Sequence, residues 1–311
     1  MENNHALTRP LSGGKIIRMK PRLHSTGLVT AFALIFLAYA VALGVAIGAG
    51  FLFSNHAFIV VALAADVAAT CVIYIFGRFF RNSSFYDPFW SLAPIGIAVY
   101  WALTSPINAG WQQFIVLALA CLWGLRLTWH WASGWRGLAH EDWRYSDLRQ
   151  KTGRRFWLVE LAGIDLMPTL VVFLGCLSLY PVLTSPHLFG ALYVTAIIVT
   201  SAAIIIESVA DEQLRRFTRG SNPGDIMESG LWAYSRHPNY LGEIMFWWGL
   251  YLFALTAGLE NWWTIIGPLA ITALFVFISI PMMDRRNAQR RPGSAEHRQK
   301  VPALLPWLIR P

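Results

Sequence analysis

The chain has 311 residues, 56% of them hydrophobic and only 14% charged, with a net charge of +8 and a mean hydropathy of +0.46. A soluble domain of this length rarely reaches that apolarity, and the charges fall in clumps between long apolar runs, so the composition reads as a polytopic membrane protein. The basic excess lies beside apolar runs, where the positive-inside rule accounts for it; no nucleic-acid partner is expected.

Residues 1–27 form a basic tail with Arg9, Lys15, Arg18, Lys20 and Arg22. It reads either as a topology signal or as a segment drawn to anionic lipid. The first apolar run is too long, and starts too late, for a cleavable signal peptide. A span needs roughly 20 apolar residues. Eight runs approach that length: 28–53, 58–77, 88–103, 111–131, 156–183, 188–209, 240–257 and 262–283. The segments 78–87, 132–155, 210–239 and the tail from Asp284 are rich in arginine, whereas 54–57, 104–110, 184–187 and 258–261 contain no Lys or Arg. The expected fold is therefore an all-α transmembrane bundle of about eight spans with both termini cytosolic. Its chemistry is expected at the cytosolic face, because the opposite loops are too short to carry any. Cys71, Cys121 and Cys176 lie inside apolar runs with no metal or disulfide spacing and read as core residues. Most tryptophans read as interfacial belt or packing residues.

Four polar stretches stand out. Tyr86-Asp87-Pro88-Phe89-Trp90 opens the third run, and Asp87 reads as a helix N-cap ahead of Pro88 at the first helical position. The segment from Trp135 to Tyr145 carries Arg136, His140, Glu141, Asp142 and Arg144. There an Arg beside a Tyr reads either as a forked phosphate grip or as part of a set of surface ion pairs. Glu207, Asp211 and Arg215 follow at four-residue intervals on one helical face, with Glu207 at membrane depth behind three isoleucines. Asp66, Glu160 and Asp165 are further acids within spans, and Pro168 after Asp165 predicts a kink.

The fourth stretch, Gly230 to Gly249, organises the rest. Pro238 fits the first turn of a helix, and the residue before a proline, His237, is pushed out of helical geometry. A helix is thus predicted to start near Pro238 and enter the membrane. Its free N–H groups and partial positive charge form a seat for an anion, with Arg236, His237, Asn239, Tyr240 and Glu243 clustered at that mouth.

Ser235-Arg236-His237-Pro238-Asn239-Tyr240-Leu241-Gly242-Glu243 resembles the C-terminal signature of the steroid 5-alpha-reductase family, particularly a bacterial branch grouped as a domain of unknown function. The isoprenylcysteine carboxyl methyltransferases carry a related Arg-His-Pro-x-Tyr-x-Gly signature. The reductase resemblance covers roughly residues 80–311. It makes that region a reductase-like membrane domain, behind N-terminal transmembrane helices at 28–79. It implies an NADPH-dependent reductase of an activated carbon–carbon double bond in a lipid-like substrate. Asp211, Arg215, Asn239 and Glu243 are then dinucleotide contacts, joined by Arg236, His237, Tyr240, Arg144, Tyr145 and Asp284. Asp284 stands where the family usually has Glu, and the Tyr-x-x-Tyr of relatives is absent before Leu305-Pro306-Trp307. The Tyr that polarises the carbonyl in steroid-reducing relatives is also missing from 127–133; His130, with Asp87, is the expected catalytic stand-in. No Gly-x-Gly-x-x-Gly, Walker lysine or His-Glu-x-x-His motif occurs, so a dinucleotide would lie among helix ends and loops. The alternatives are an S-adenosylmethionine-dependent membrane methyltransferase, or a transporter or structural protein built on the intramembrane acids.

Overall fold

The computed structural model describes residues 27–107, 110–186 and 189–305. The basic tail read from residues 1–27, apart from Gly27, and the Pro306-Trp307 ending lie outside the described residues. Among the described residues every regular element is helical and there is no strand. In chain order the helices are α1 Leu28–Leu52, α2 Phe58–Phe80, α3 Phe89–Leu103 and α4 Trp111–Gly134. They continue with α5 Trp143–Cys176, α6 Leu179–Thr184, α7 Ala191–Gly220, α8 Pro238–Thr256, α9 Leu259–Arg290 and α10 Ser294–Lys300. Six of these, α1, α2, α4, α5, α7 and α9, are long and apolar enough to cross a membrane. The chain has the build of a multi-pass helical membrane protein. The expectation of eight spans also counted α3 and α8, of 15 and 19 residues, which are not among the six.

The predicted helix start at Pro238 is observed: His237 is the N-cap, with φ −139° and ψ 61°, and Pro238 opens α8. Two glycines let α8 close on α7. A Cβ at Gly242 would lie 2.7 Å from Glu207 Cβ and 2.9 Å from the Ala203 carbonyl, and Gly249 meets Thr200 as tightly. This near-contact of backbones sets Glu243 beside Glu207. The interior is aromatic: Trp123 stacks on Phe246 at 4.5 Å, with Trp101, Trp247 and Phe253 fully buried around them. Trp101, Trp123 and Trp247 are thus packing residues, whereas Trp129 and Trp262 face outward.

Before Pro168, where a kink is expected, α5 carries a π-helical turn at Glu160–Leu166, and a second, Phe275–Ser279, precedes Pro281 in α9. A proline removes one N–H and its ring crowds the carbonyl four residues back; a wider turn relieves both. Each end of the bundle carries a set of inter-element links. At one end the α2–α3 linker bonds to the segment before α5, with Asn82 Nδ2 donating to the Leu138 and His140 carbonyls at 2.9 and 3.1 Å. There too Arg286 of α9 lies 3.6 Å over the Trp143 ring. At the other end Tyr193 donates to the Gln112 carbonyl at 2.9 Å. The first is the arginine-rich end, for which the cytosolic side is the expectation from the loop charges.

Candidate functional site at the polar end of the bundle

Just inside the polar end, α4, α7 and α8 share one buried network. Arg126 Nη1 donates to Asp211 Oδ2 at 2.9 Å, and Arg126 Nη2 lies 2.6 Å from Glu207 Oε1. Asn239 Nδ2 donates to the other Asp211 oxygen at 3.3 Å. Deeper, Glu243 accepts from the Trp123 and Trp247 indoles at 3.0 and 2.8 Å, and its carboxyl faces Glu207. Three carboxyls lie around the one Arg126 guanidinium, so their charges are not balanced by this arginine alone. Arg126 Nε and Glu207 Oε2 are buried with no hydrogen-bond partner among the described residues. The Tyr240 hydroxyl likewise makes no described hydrogen bond; its ring stacks on His237 at 5.2 Å, within electrostatic reach of Arg144, Asp142 and Asp211.

The expected ladder along α7 is corrected in one place. Asp211 turns inward to Arg126 and Asn239, while Arg215 Nε pairs with Glu212 Oε2 at 2.7 Å on the outer face. A four-residue step keeps Asp211 and Arg215 within about 40° of one face, yet they hold different partners here, so the Asp211–Arg215 link of the ladder is not formed.

Arg236 and His237 face Asp284 and the C-terminal segment. Arg236 Nη2 donates to Asp284 Oδ2 at 2.9 Å, Nη1 donates to the Val301 carbonyl at 2.6 Å, and His237 Nε2 lies 3.1 Å from Asp284 Oδ1. The backbone N–H groups of Arg236 and His237 donate to the Pro302 and Ala303 carbonyls at 2.9 and 3.1 Å. Asp284, one methylene shorter than the Glu expected here, still reaches both side chains. Arg236 is therefore engaged as a clamp on residues 301–303, with only Nε lacking a partner among the described residues.

Asp87 does not cap α3. The helix begins one residue later than a Pro88 start requires, at Phe89, and Pro88 occupies the cap position without a side-chain bond. Asp87 instead accepts from the Tyr145 hydroxyl at 2.6 Å, which joins an expected catalytic residue to an expected cofactor contact. Burial pushes the Asp87 carboxyl up to about 6, against the lowering effect of the Tyr145 hydrogen bond and the Arg144 charge. Arg144 holds Asp142 through Nε and Nη2 at 2.9 and 3.1 Å, and Glu141 holds Arg149 at 2.7 Å, so the ion-pair reading of this loop is realised. The Arg144 side chain remains 39% exposed. His130 is exposed on α4, and its ring has no described hydrogen bond. Among the described residues His130 makes no contact with Asp87, which bonds to Tyr145 instead.

Sequence reading missed Arg126 and Trp123. Arg126 is the one charged residue within 111–134, and that isolation in an apolar run was the available signal. Trp123 had none, since its role lies in an indole N–H aimed at a residue 120 positions away.

Fold and site together define a multi-pass helical membrane protein that carries a buried carboxylate–guanidinium network at its polar end. The chain belongs to the family described as "Protein of unknown function (DUF1295)", which matches residues 73–301 and so takes in all of these polar stretches. "Uncharacterized protein C594.04c" of Schizosaccharomyces pombe is 23% identical over 289 residues, covering 84% of this chain and 83% of the relative. No solved structure gives a significant match.

Proposed function

We propose that the protein is a membrane-embedded, NADPH-dependent reductase of an activated carbon–carbon double bond in a lipid-like substrate, working from the arginine-rich, cytosolic face. The observation that carries this reading is the Asn239–Asp211 contact at the mouth of α8. It joins the two segments that resemble the dinucleotide-contacting parts of the steroid 5-alpha-reductase family. The residues fit such a group: Asn239, the Tyr240 hydroxyl and Arg126 Nε offer donors at a helix N-terminus, and Arg126 Nε is buried without a partner among the described residues. Arg144, partly exposed, is placed to add a charge-assisted contact to a phosphate. Arg236 is spent on the C-terminal segment and holds the mouth in shape instead.

Bound NADPH would supply the hydride. Tyr145 and Asp87 form a phenol–carboxyl pair suited to holding a proton near a substrate carbonyl, in place of His130. Glu243, fixed by two indoles, orients the α8 mouth from below, and the surrounding aromatic core keeps water out. The test is titration of the purified protein in detergent with NADPH, NADH and S-adenosylmethionine. Saturable binding that prefers NADPH is expected. Binding of S-adenosylmethionine without NADPH would replace this reading with the methyltransferase one.

A further inference from the structure

A second site lies in the apolar half of the molecule, away from the α4–α7–α8 network. Helices α1, α2 and α3 enclose a cleft of about 560 Å³. At one end it is bounded by Phe51, Phe58 and Tyr100, at the other by Tyr39, Asp66 and Phe89. From Tyr39 to Phe51 along α1 the cleft runs about 18 Å, the reach of a long hydrocarbon chain. Its α1 and α2 walls precede residue 73, where the family match begins.

Asp66 gives this cleft a chemical preference. Its side chain is buried, it lines the cleft, and it has no hydrogen bond or ion pair among the described residues. The polar groups next to it are already engaged. The Thr70 hydroxyl donates to the Asp66 carbonyl at 2.9 Å, and Thr169 links Thr70 to the Tyr86 hydroxyl through two 2.9 Å contacts. Tyr39 donates to the Phe85 carbonyl at 2.9 Å. No Lys, Arg or His lines the cleft, so an ionised Asp66 would face hydrocarbon without a counter-charge, whereas the neutral acid has one O–H to donate.

We propose that this cleft binds a single-chain lipid bearing a neutral oxygen function, a ketone, ester or alcohol, which accepts a hydrogen bond from the Asp66 carboxyl. Anionic headgroups find no cation here, and a plain hydrocarbon leaves Asp66 unpaired. The inference stands apart from the dinucleotide site and does not depend on it.

The test is photolabelling of the full chain in detergent with a long-chain ketone that carries a diazirine at mid-chain. Label is expected on peptides of α1–α3. An unlabelled ketone or alcohol should compete about ten-fold better than the alkane or the alkylammonium of equal length. Asp66→Leu should erase that preference. Gly96→Leu should abolish labelling, because Gly96 lines the cleft with open space where its Cβ would sit. Thermal melts confirm that both variants remain folded, and Asp66→Asn, which keeps a donor, should retain part of the preference. Equal competition by the alkane, indifference to Asp66→Leu in a folded protein, or preference for the alkylammonium would each overturn the proposal.

Discussion

Arg126 on α4 is held between Asp211 and Glu207, four residues apart on α7, at 2.9 and 2.6 Å. The guanidinium is 14% exposed and Glu207 5%, so neither carboxylate can turn to water if the arginine is lost. Removing one partner of such a buried set costs about 3–5 kcal/mol in soluble proteins. Arg126→Met is expected to lower the thermal midpoint in detergent sharply. Arg215→Ala, which breaks only an exposed pair with Glu212, is expected to leave it nearly unchanged. Equal midpoints for parent and Arg126→Met would mean that the network contributes little to the bundle.

Arg236 ties the C-terminal segment to the signature. Its fork reaches Asp284 and two backbone carbonyls, of Val301 and Arg298, a geometry that a single ammonium cannot reproduce. Both Arg236→Ala and Arg236→Lys are expected to expose residues 298–305 to limited proteolysis, with the transmembrane core still resistant. A digestion pattern identical to the parent would assign the clamp to the backbone bonds at Pro302 and Ala303 alone.

Arg144 separates phosphate recognition from topology. Lys keeps the charge that topology reads but not the fork. Arg144→Lys is expected to weaken NADPH binding by about ten-fold, or roughly 1.4 kcal/mol, and to leave NADH binding nearly unchanged. Isotherms for both cofactors decide it; equal losses would remove Arg144 from the phosphate.

Asp87 gives a pH signature. Its folded value of about 6 lies above the ordinary carboxylate range, so ionising it costs stability in the folded state only. That cost is absent below about pH 4 and grows as pH rises through about 6. Asp87→Asn keeps an acceptor for Tyr145 and removes the titration. Its thermal midpoint is expected to match the parent near pH 4 and exceed it near pH 7. A gap that stays constant with pH would show that Asp87 does not titrate in this window.

The sequence made some of this legible and hid the rest for definite reasons. His237-Pro238 announces the start of α8 because proline restricts both residues locally. Glu207 is conspicuous because three isoleucines precede it. Asp87 was misread as a cap because the local pattern allows one, and only the fold brings Tyr145, 58 residues away, to compete for it. Helical spacing places Asp211 and Arg215 on one face but does not show that Arg215 pairs with Glu212 while Arg126 draws Asp211 inward. Arg126 stood out only as a lone charge in an apolar run; its partners, 81 and 85 positions away, leave no trace in a single chain.

The most direct test of the reductase account is isotopic. The purified protein, in lipid extracted from the source membrane, is supplied with NADPH deuterated at C4 of the nicotinamide, and the lipids are analysed by mass spectrometry. The account predicts a lipid that has lost one double bond and gained one deuterium on carbon, with NADPH consumed in equal amount and with Tyr145→Phe and Asn239→Ala both impaired. Oxidation of NADPH with no deuterium in any lipid, or no NADPH consumption by folded protein across lipid classes, would contradict it.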